Sequence, residues 1–255
     1  MSATNPYQSS NFVDEPRPQG VEKPSPKTEE ESIDDTSRRL IRVGQIVLGV
    51  YFVLLLPVWL STAMSIWTSD SANLVRYFHS HHGHLLSLMV LMLVALIGGV
   101  CCSFTPRRER FSLWIANFLK ILVGGAGFWM LLSDRAGNFS LNLLPLFLAV
   151  LFAMWMISEA AILGFLRASA IRNHERAVAH ACEFAIGLLA LAAGCFSAWS
   201  LMQHTSDPTT LSGLLAVVTF AFTVATSIAI WVLRWFPIVH KTAHHAQSHP
   251  SPQID

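Results

Sequence analysis

Residues 139–166 read FSLNLLPLFLAVLFAMWMISEAAILGFL, a run of 28 positions holding a single charged side chain, Glu159. As a helix rising about 1.5 Å per residue it would be about 42 Å long, more than the roughly 30 Å hydrocarbon core of a bilayer. Five further apolar runs accompany it, at 41–67, 84–104, 111–132, 177–202 and 210–236. Each reaches or passes the roughly 20 residues that a spanning helix needs. Inside hydrocarbon every backbone amide must be satisfied within its own segment, so such runs become helices that pack on one another. The predicted fold is all-α, a six-transmembrane-helix bundle over residues 41–237. Residues 1–40 and 238–255 are predicted to be disordered tails.

Composition supports the same class. Hydrophobic residues make up 53% of the 255 and charged residues only 13%, outside the range of an ordinary soluble domain. The net charge of +1 is spread over several loops, which argues against a nucleic-acid partner and leaves the lipid bilayer as the partner the sequence implies. The polar opening of the chain lacks the short apolar core and small-residue cleavage site of a secretory signal, so the first helix is expected to serve as an uncleaved insertion signal. Cys101, Cys102, Cys182 and Cys195 all lie in or near predicted helices without a Cys-x-x-Cys spacing. They read as small packing residues rather than as a disulfide framework or zinc ribbon, with acylation of Cys101 or Cys102 as the alternative.

Basic residues set an orientation. Arg38, Arg39, Arg42, Arg107, Arg108, Arg110, Arg167, Arg172, Arg176, Arg234 and Lys241 fall beside helix ends on one side, against Arg76 and Arg135 on the other. This asymmetry predicts both termini in the cytoplasm, and the even number of spans agrees. Trp67, Trp129 and Trp199 would mark the outer boundary, with Trp114, Trp231 and Trp235 at the inner one.

The N-terminal tail combines Pro6, Pro16, Pro18, Pro24 and Pro26 with an acidic tract at Glu29, Glu30, Glu31, Asp34 and Asp35. Such a segment buries too little apolar surface to offset its ordering entropy. Its opening, Asn5-Pro6-Tyr7-Gln8-Ser9, resembles a short leader carried by many otherwise unrelated membrane proteins of one bacterial group. That resemblance implies a lineage and a bacterial cytoplasmic membrane, not an activity.

Charged side chains within the spans are costly, at about 2.5–3.5 kcal/mol each near the bilayer centre on insertion scales, and so call for an explanation. Lys120 lies ten residues beyond Arg110, and Glu159 eight before Arg167. At about 1.5 Å per residue they sit roughly 15 and 12 Å from the same edge, on helices that should run antiparallel. Asn117, Lys120, Gly124 and Gly127 share one helical face, polar and small enough to face the bundle interior. In the fifth span Arg176, His180 and Glu183 form another stripe, closer to the headgroups. Lys120 and Glu159, with Asn117, His180 and Glu183 as further candidates, read either as a site for a small ion, proton or solute, or as a neutralising pair that fixes two helices.

Packing patterns complete the interior. Gly187, Ala190, Gly194 and Ala198 in the fifth span and Ser212, Thr219, Thr223, Thr226 and Ser227 in the sixth read as helix-contact devices. Pro57 should kink the first helix.

His79, His81, His82 and His84 place four imidazoles within six residues at the outer mouth of the second span. Neutral imidazole ligates zinc, copper or nickel, so this segment is a candidate metal site; the alternative is an interfacial segment with adventitious divalent-metal affinity. His240, His244, His245 and His249 belong to the C-terminal tail. No Gly-x-Ser nucleophile, buried axial histidine pair or internal repeat is present, and no cofactor or catalytic constellation is predicted. The leading functional expectation is transport or sensing of a small ion or solute; the second is a non-catalytic scaffold or accessory subunit. A polar cavity at Lys120 and Glu159 separates the two, since transport requires one and a scaffold does not.

Overall fold

A computed structural model describes residues 35–68, 82–105, 107–135, 144–202 and 207–247, all within the compact unit Asp34–Asp255. The described residues form six helices: α1 (Asp35–Thr68), α2 (His82–Cys102), α3 (Arg107–Arg135), α4 (Leu144–Arg172), α5 (Arg176–Met202) and α6 (Pro208–Gln247). Each packs on its neighbours in sequence, and α1 also packs on α6, which closes the bundle into a ring. Five of the six are long and apolar enough to cross a membrane. The sixth, α2, carries the apolar stretch Leu86–Cys102 among the described residues.

Two boundaries differ from the sequence reading. The first helix begins at Asp35, not after residue 40. Asp35 stands where the positive end of the helix dipole favours an acid, and no proline follows until Pro57. At the other end α6 continues through Pro237 to Gln247. The remainder of both predicted tails lies outside the described residues, as does the leader at residues 5–9.

The burial pattern is that of a membrane bundle. On α1, Leu48, Tyr51, Phe52, Leu55 and Trp59 recur at i, i+3, i+4, i+7 and i+11 and turn inward. Ile46, Met64, Phe111 and Phe220 are among the large apolar residues more than 60% exposed, an outer surface that suits a lipid bilayer. Within the ring an aromatic cluster joins four helices: Phe152 stacks on Phe196 at 4.0 Å, and Trp59 packs on Phe152, Trp155 and Phe222 at 5.7, 6.1 and 4.7 Å between ring centroids. Trp199, expected at the outer boundary, is instead buried beside Phe196. Trp67, Trp114, Trp129 and Trp231 are exposed, as interfacial residues would be.

Local chemistry ends the helices. Asp207 precedes Pro208 and accepts the Thr210 N–H at 3.3 Å, an N-cap with proline in the first helical position. Hydrogen bonds from the Thr209 and Thr210 hydroxyls and the Thr210 N–H pull its carboxyl down to about 2. Between α4 and α5, Glu175 N–H reaches Ala170 O (2.9 Å) and His174 N–H reaches Ile171 O (3.1 Å), a Schellman turn with His174 in the left-handed region at φ 60°.

The small-residue pattern that matters for packing lies on α1 and α2. A Cβ on Gly44 would fall 2.8 Å from both Cys102 N and Gly98 O, and one on Gly98 would fall 3.0 Å from Leu48. By contrast, Gly187, Ala190 and Gly194 of α5 face outward, and Ala198 is half-buried. The buried face of α5 instead combines the small residues Ala179, Ala185, Ala192 and Ser200 with the larger Leu189, Phe196 and Trp199. The α6 hydroxyls turn back on their own helix: Ser212, Thr219, Thr226 and Ser227 donate to carbonyls three or four residues earlier. Thr223 Oγ1 is buried without a hydrogen-bond partner among the described residues. Because Gly44 meets backbone atoms, Gly44→Ala should lower stability by about 1–3 kcal/mol. Gly187→Ala, on open surface, should change it little. Thermal unfolding in detergent reads both, and equal effects of the two substitutions would refute the close contact.

Candidate functional site

Four side chains from three helices meet inside the ring. Trp155 and Glu159 lie one turn apart on α4, so both point to the same side. Lys120 comes from α3 and Tyr51 from α1. Their residual exposures are 0% for Tyr51, 2% for Lys120, 5% for Trp155 and 1% for Glu159. The two charges are therefore withdrawn from water and lipid alike.

One oxygen organises the cluster. Glu159 Oε1 accepts hydrogen bonds from Lys120 Nζ, from Tyr51 Oη at 2.6 Å and from Trp155 Nε1 at 2.9 Å. Lys120 Nζ also stands 4.9 Å from the centroid of the Tyr51 ring, within cation–π range. The ion pair is thus held at both ends by the same tyrosine, which donates to the carboxylate and offers its ring face to the ammonium. The second oxygen, Glu159 Oε2, is buried without a hydrogen-bond partner among the described residues. Next to Glu159, the Ser158 hydroxyl donates to Ala116 O across the α3–α4 interface at 3.2 Å.

Of the candidates read from sequence, Lys120 and Glu159 are brought together. Asn117 is also buried, but it seats α3 on α2: its Oδ1 crowds the position that a Cβ on Gly99 would take. Glu183 and His180 stand apart from the buried cluster. Glu183 is 44% exposed and pairs with Arg167 of α4, Nη2 to Oε1 at 2.5 Å, and with His180 at 3.1 Å. That arrangement is a surface clasp between α4 and α5, of the kind that contributes little where solvent or headgroups screen it.

In the histidine segment, His79 and His81 and the side chain of His82 lie outside the described residues. His84 Nε2 lies 3.1 Å from Ser61 Oγ, which links α2 to α1. Among the described residues, no group of three metal-binding side chains comes together. The described cysteines are free thiols, with Cys102 and Cys182 buried.

Tyr51 and Trp155 are the members that sequence reasoning missed, although both carried a signal. Trp155 precedes Glu159 by four residues and so shares its helix face. Tyr51 lies nine residues beyond Arg42, about 14 Å deep, the same depth argument that paired Lys120 with Glu159.

Cavities lie beside the cluster without including its charges. An apolar cavity of about 160 Å³ is walled by Trp59, Met92, Met130, Phe152, Trp155 and Phe196 among others. Two surface pockets of about 300 and 410 Å³ lie at the bundle's periphery. Neither Lys120 nor Glu159 lines any of the three. Chemically, the arrangement can hold a fixed ion pair and leaves one oxygen, Glu159 Oε2, without a donor among the described residues. Comparison with protein-family models, with curated proteins and with solved structures finds no match for this chain.

Hydrogen bonds to a charged acceptor contribute about 1.5–3 kcal/mol each. Tyr51→Phe keeps the ring under Lys120 and removes only the hydroxyl, so it should cost that much in detergent unfolding. Tyr51→Leu, which removes the ring as well, should cost more. A Tyr51→Phe protein as stable as the parent would mean that the hydroxyl does not support Glu159.

Proposed function

We propose that this chain is a non-catalytic scaffold or accessory subunit of a bacterial cytoplasmic membrane, with both termini on the cytoplasmic side. The observation that carries this reading is the enclosure of the Lys120–Glu159 pair. Its partners are Tyr51 and Trp155, its exposure is 2% or less, and Trp155, not Lys120 or Glu159, lines the apolar cavity beside it. A transport pathway needs its charged residues to meet water from at least one side, whereas a clasp does not. The pair instead ties α1, α3 and α4 together and leaves the loops and tails to present surfaces to partners. The positive-inside asymmetry supports the orientation, and the Asn-Pro-Tyr leader supports the bacterial assignment.

The unpartnered Glu159 Oε2 favours a second reading, sensing or passage of a proton or small ion at the same site. Buried polar atoms without partners are uncommon and often mark a working group. In that reading Lys120 and Glu159 exchange partners as the ion arrives, and Asn117 lies one turn from the path.

Substituted-cysteine labelling distinguishes the two and tests orientation together. Ser158→Cys places a small thiol beside Glu159, and Arg172→Cys places one at the end proposed to be cytoplasmic. With an impermeant thiol reagent in membrane vesicles, position 172 should label only from the cytoplasmic face and position 158 from neither. Labelling at 158 would shift the assignment to an ion pathway. Labelling at 172 from the outer face would overturn the orientation.

A further inference from the structure

The surface between α2 and α3 carries a groove of about 410 Å³ whose two walls differ in chemistry along their length. Arg110, Trp114, Phe118 and Ile121 follow one another at intervals of four, four and three on α3, and so form one stripe. Val100 of α2 and Phe104, in the turn that follows α2, line the groove with them. Phe104, Trp114, Phe118 and Ile121 are 46–65% exposed, so these apolar groups line an accessible trough rather than a packed seam. Arg110 closes one end, where its Nε donates to Thr105 O and fixes the guanidinium over the mouth. That bond uses one of the five N–H donors of a guanidinium.

We propose that this groove binds one anionic phospholipid, with the phosphate on Arg110 and an acyl chain lying between α2 and α3. Three features select that occupant. From Arg110 to Ile121 the stripe spans about 16 Å of helix, close to half of a roughly 30 Å hydrocarbon core and so the depth of one leaflet. The charge is at the end where a headgroup would lie, and Trp114 stands one turn below it, the depth at which indole rings settle. The sign is positive: Arg107 and Arg108 occupy the preceding turn with Glu109, three arginines against one glutamate over residues 107–110. A planar guanidinium also matches phosphate geometry better than a point charge. A zwitterionic lipid would fill the apolar trough equally but gain less at its mouth.

Native mass spectrometry of the purified protein in detergent, offered phosphatidylglycerol and phosphatidylcholine with identical chains, tests this. At about 1 kcal/mol per basic residue near a headgroup, phosphatidylglycerol should be retained at least fivefold better. Soluble glycerol phosphate at millimolar concentration should not displace it, since the acyl chain supplies the rest of the contact. Arg110→Ala should bring the two lipids close to equal retention. Arg172→Ala, at the same end but outside the groove, should leave the preference intact. Val100→Trp should obstruct the trough and reduce retention of both lipids. Equal retention of the two lipids by the parent protein would overturn the proposal, whatever the variants do. So would displacement by glycerol phosphate, an equal effect of Arg172→Ala, or unchanged retention in Val100→Trp.

Discussion

A carboxylate and an ammonium held inside a membrane bundle impose one requirement on everything near them: each must find its counter-charge and its hydrogen bonds within the protein. Isolated, either charge would cost several kcal/mol in low dielectric. Here Glu159 Oε1 gathers Lys120, Tyr51 and Trp155, and Lys120 rests on the Tyr51 ring. The hydrogen bonds of this cluster are directional, whereas the apolar contacts around it are not. The cluster therefore fixes the rotation and depth of α1, α3 and α4 in a way that leucine packing alone would leave loose.

The rest of the interior is arranged around that cluster. In the ring, α1 and α4 are joined by long side chains rather than by close backbone approach, and the Tyr51–Glu159 bond is such a bridge. Trp155 has two roles, as donor to Glu159 and as part of the aromatic cluster with Trp59, Phe152 and Phe222. Those rings fill the interior beside the charges with low-dielectric material, which strengthens the ion pair and raises the cost of breaking it. Glycines perform the opposite task between α1 and α2, where Gly44 and Gly98 allow backbones to touch. The bundle thus combines a polar anchor, an aromatic filling and glycine-mediated contact between α1 and α2. Its outer surface is left to lipid.

Hydropathy made the architecture legible, because spans of about 20 apolar residues admit few other folds. Depth counting from flanking arginines made Lys120 and Glu159 legible as partners, since short loops force antiparallel neighbours. The same counting applies to Tyr51, but a tyrosine within a span carries no charge that demands a partner, so it did not stand out. Trp155 was masked by the many aromatic residues that a membrane helix carries for other reasons. Periodicity misled on α5, where the glycine and alanine stripe faces outward, because small residues permit close packing without requiring it. It misled again on α6, whose hydroxyls found carbonyls on their own helix before any neighbour. The extended ends of α1 and α6 were hidden because polar residues in a helix beyond the membrane resemble a tail in composition. The lipid groove was invisible to a reading of single helices, since its two walls come from different ones.

A double-mutant cycle on the buried pair tests the anchoring role most directly. Glu159→Gln should leave the Lys120 ammonium buried without its counter-charge, at a cost of about 3–5 kcal/mol for a broken buried pair. Lys120→Met should cost less, because Tyr51 and Trp155 still donate hydrogen bonds to Oε1. The double variant strands no charge, so its unfolding free energy in detergent should lie well above that of Glu159→Gln alone. Strictly additive losses would contradict the account, showing that Lys120 and Glu159 stabilise the bundle independently and that no charge pair anchors its helices.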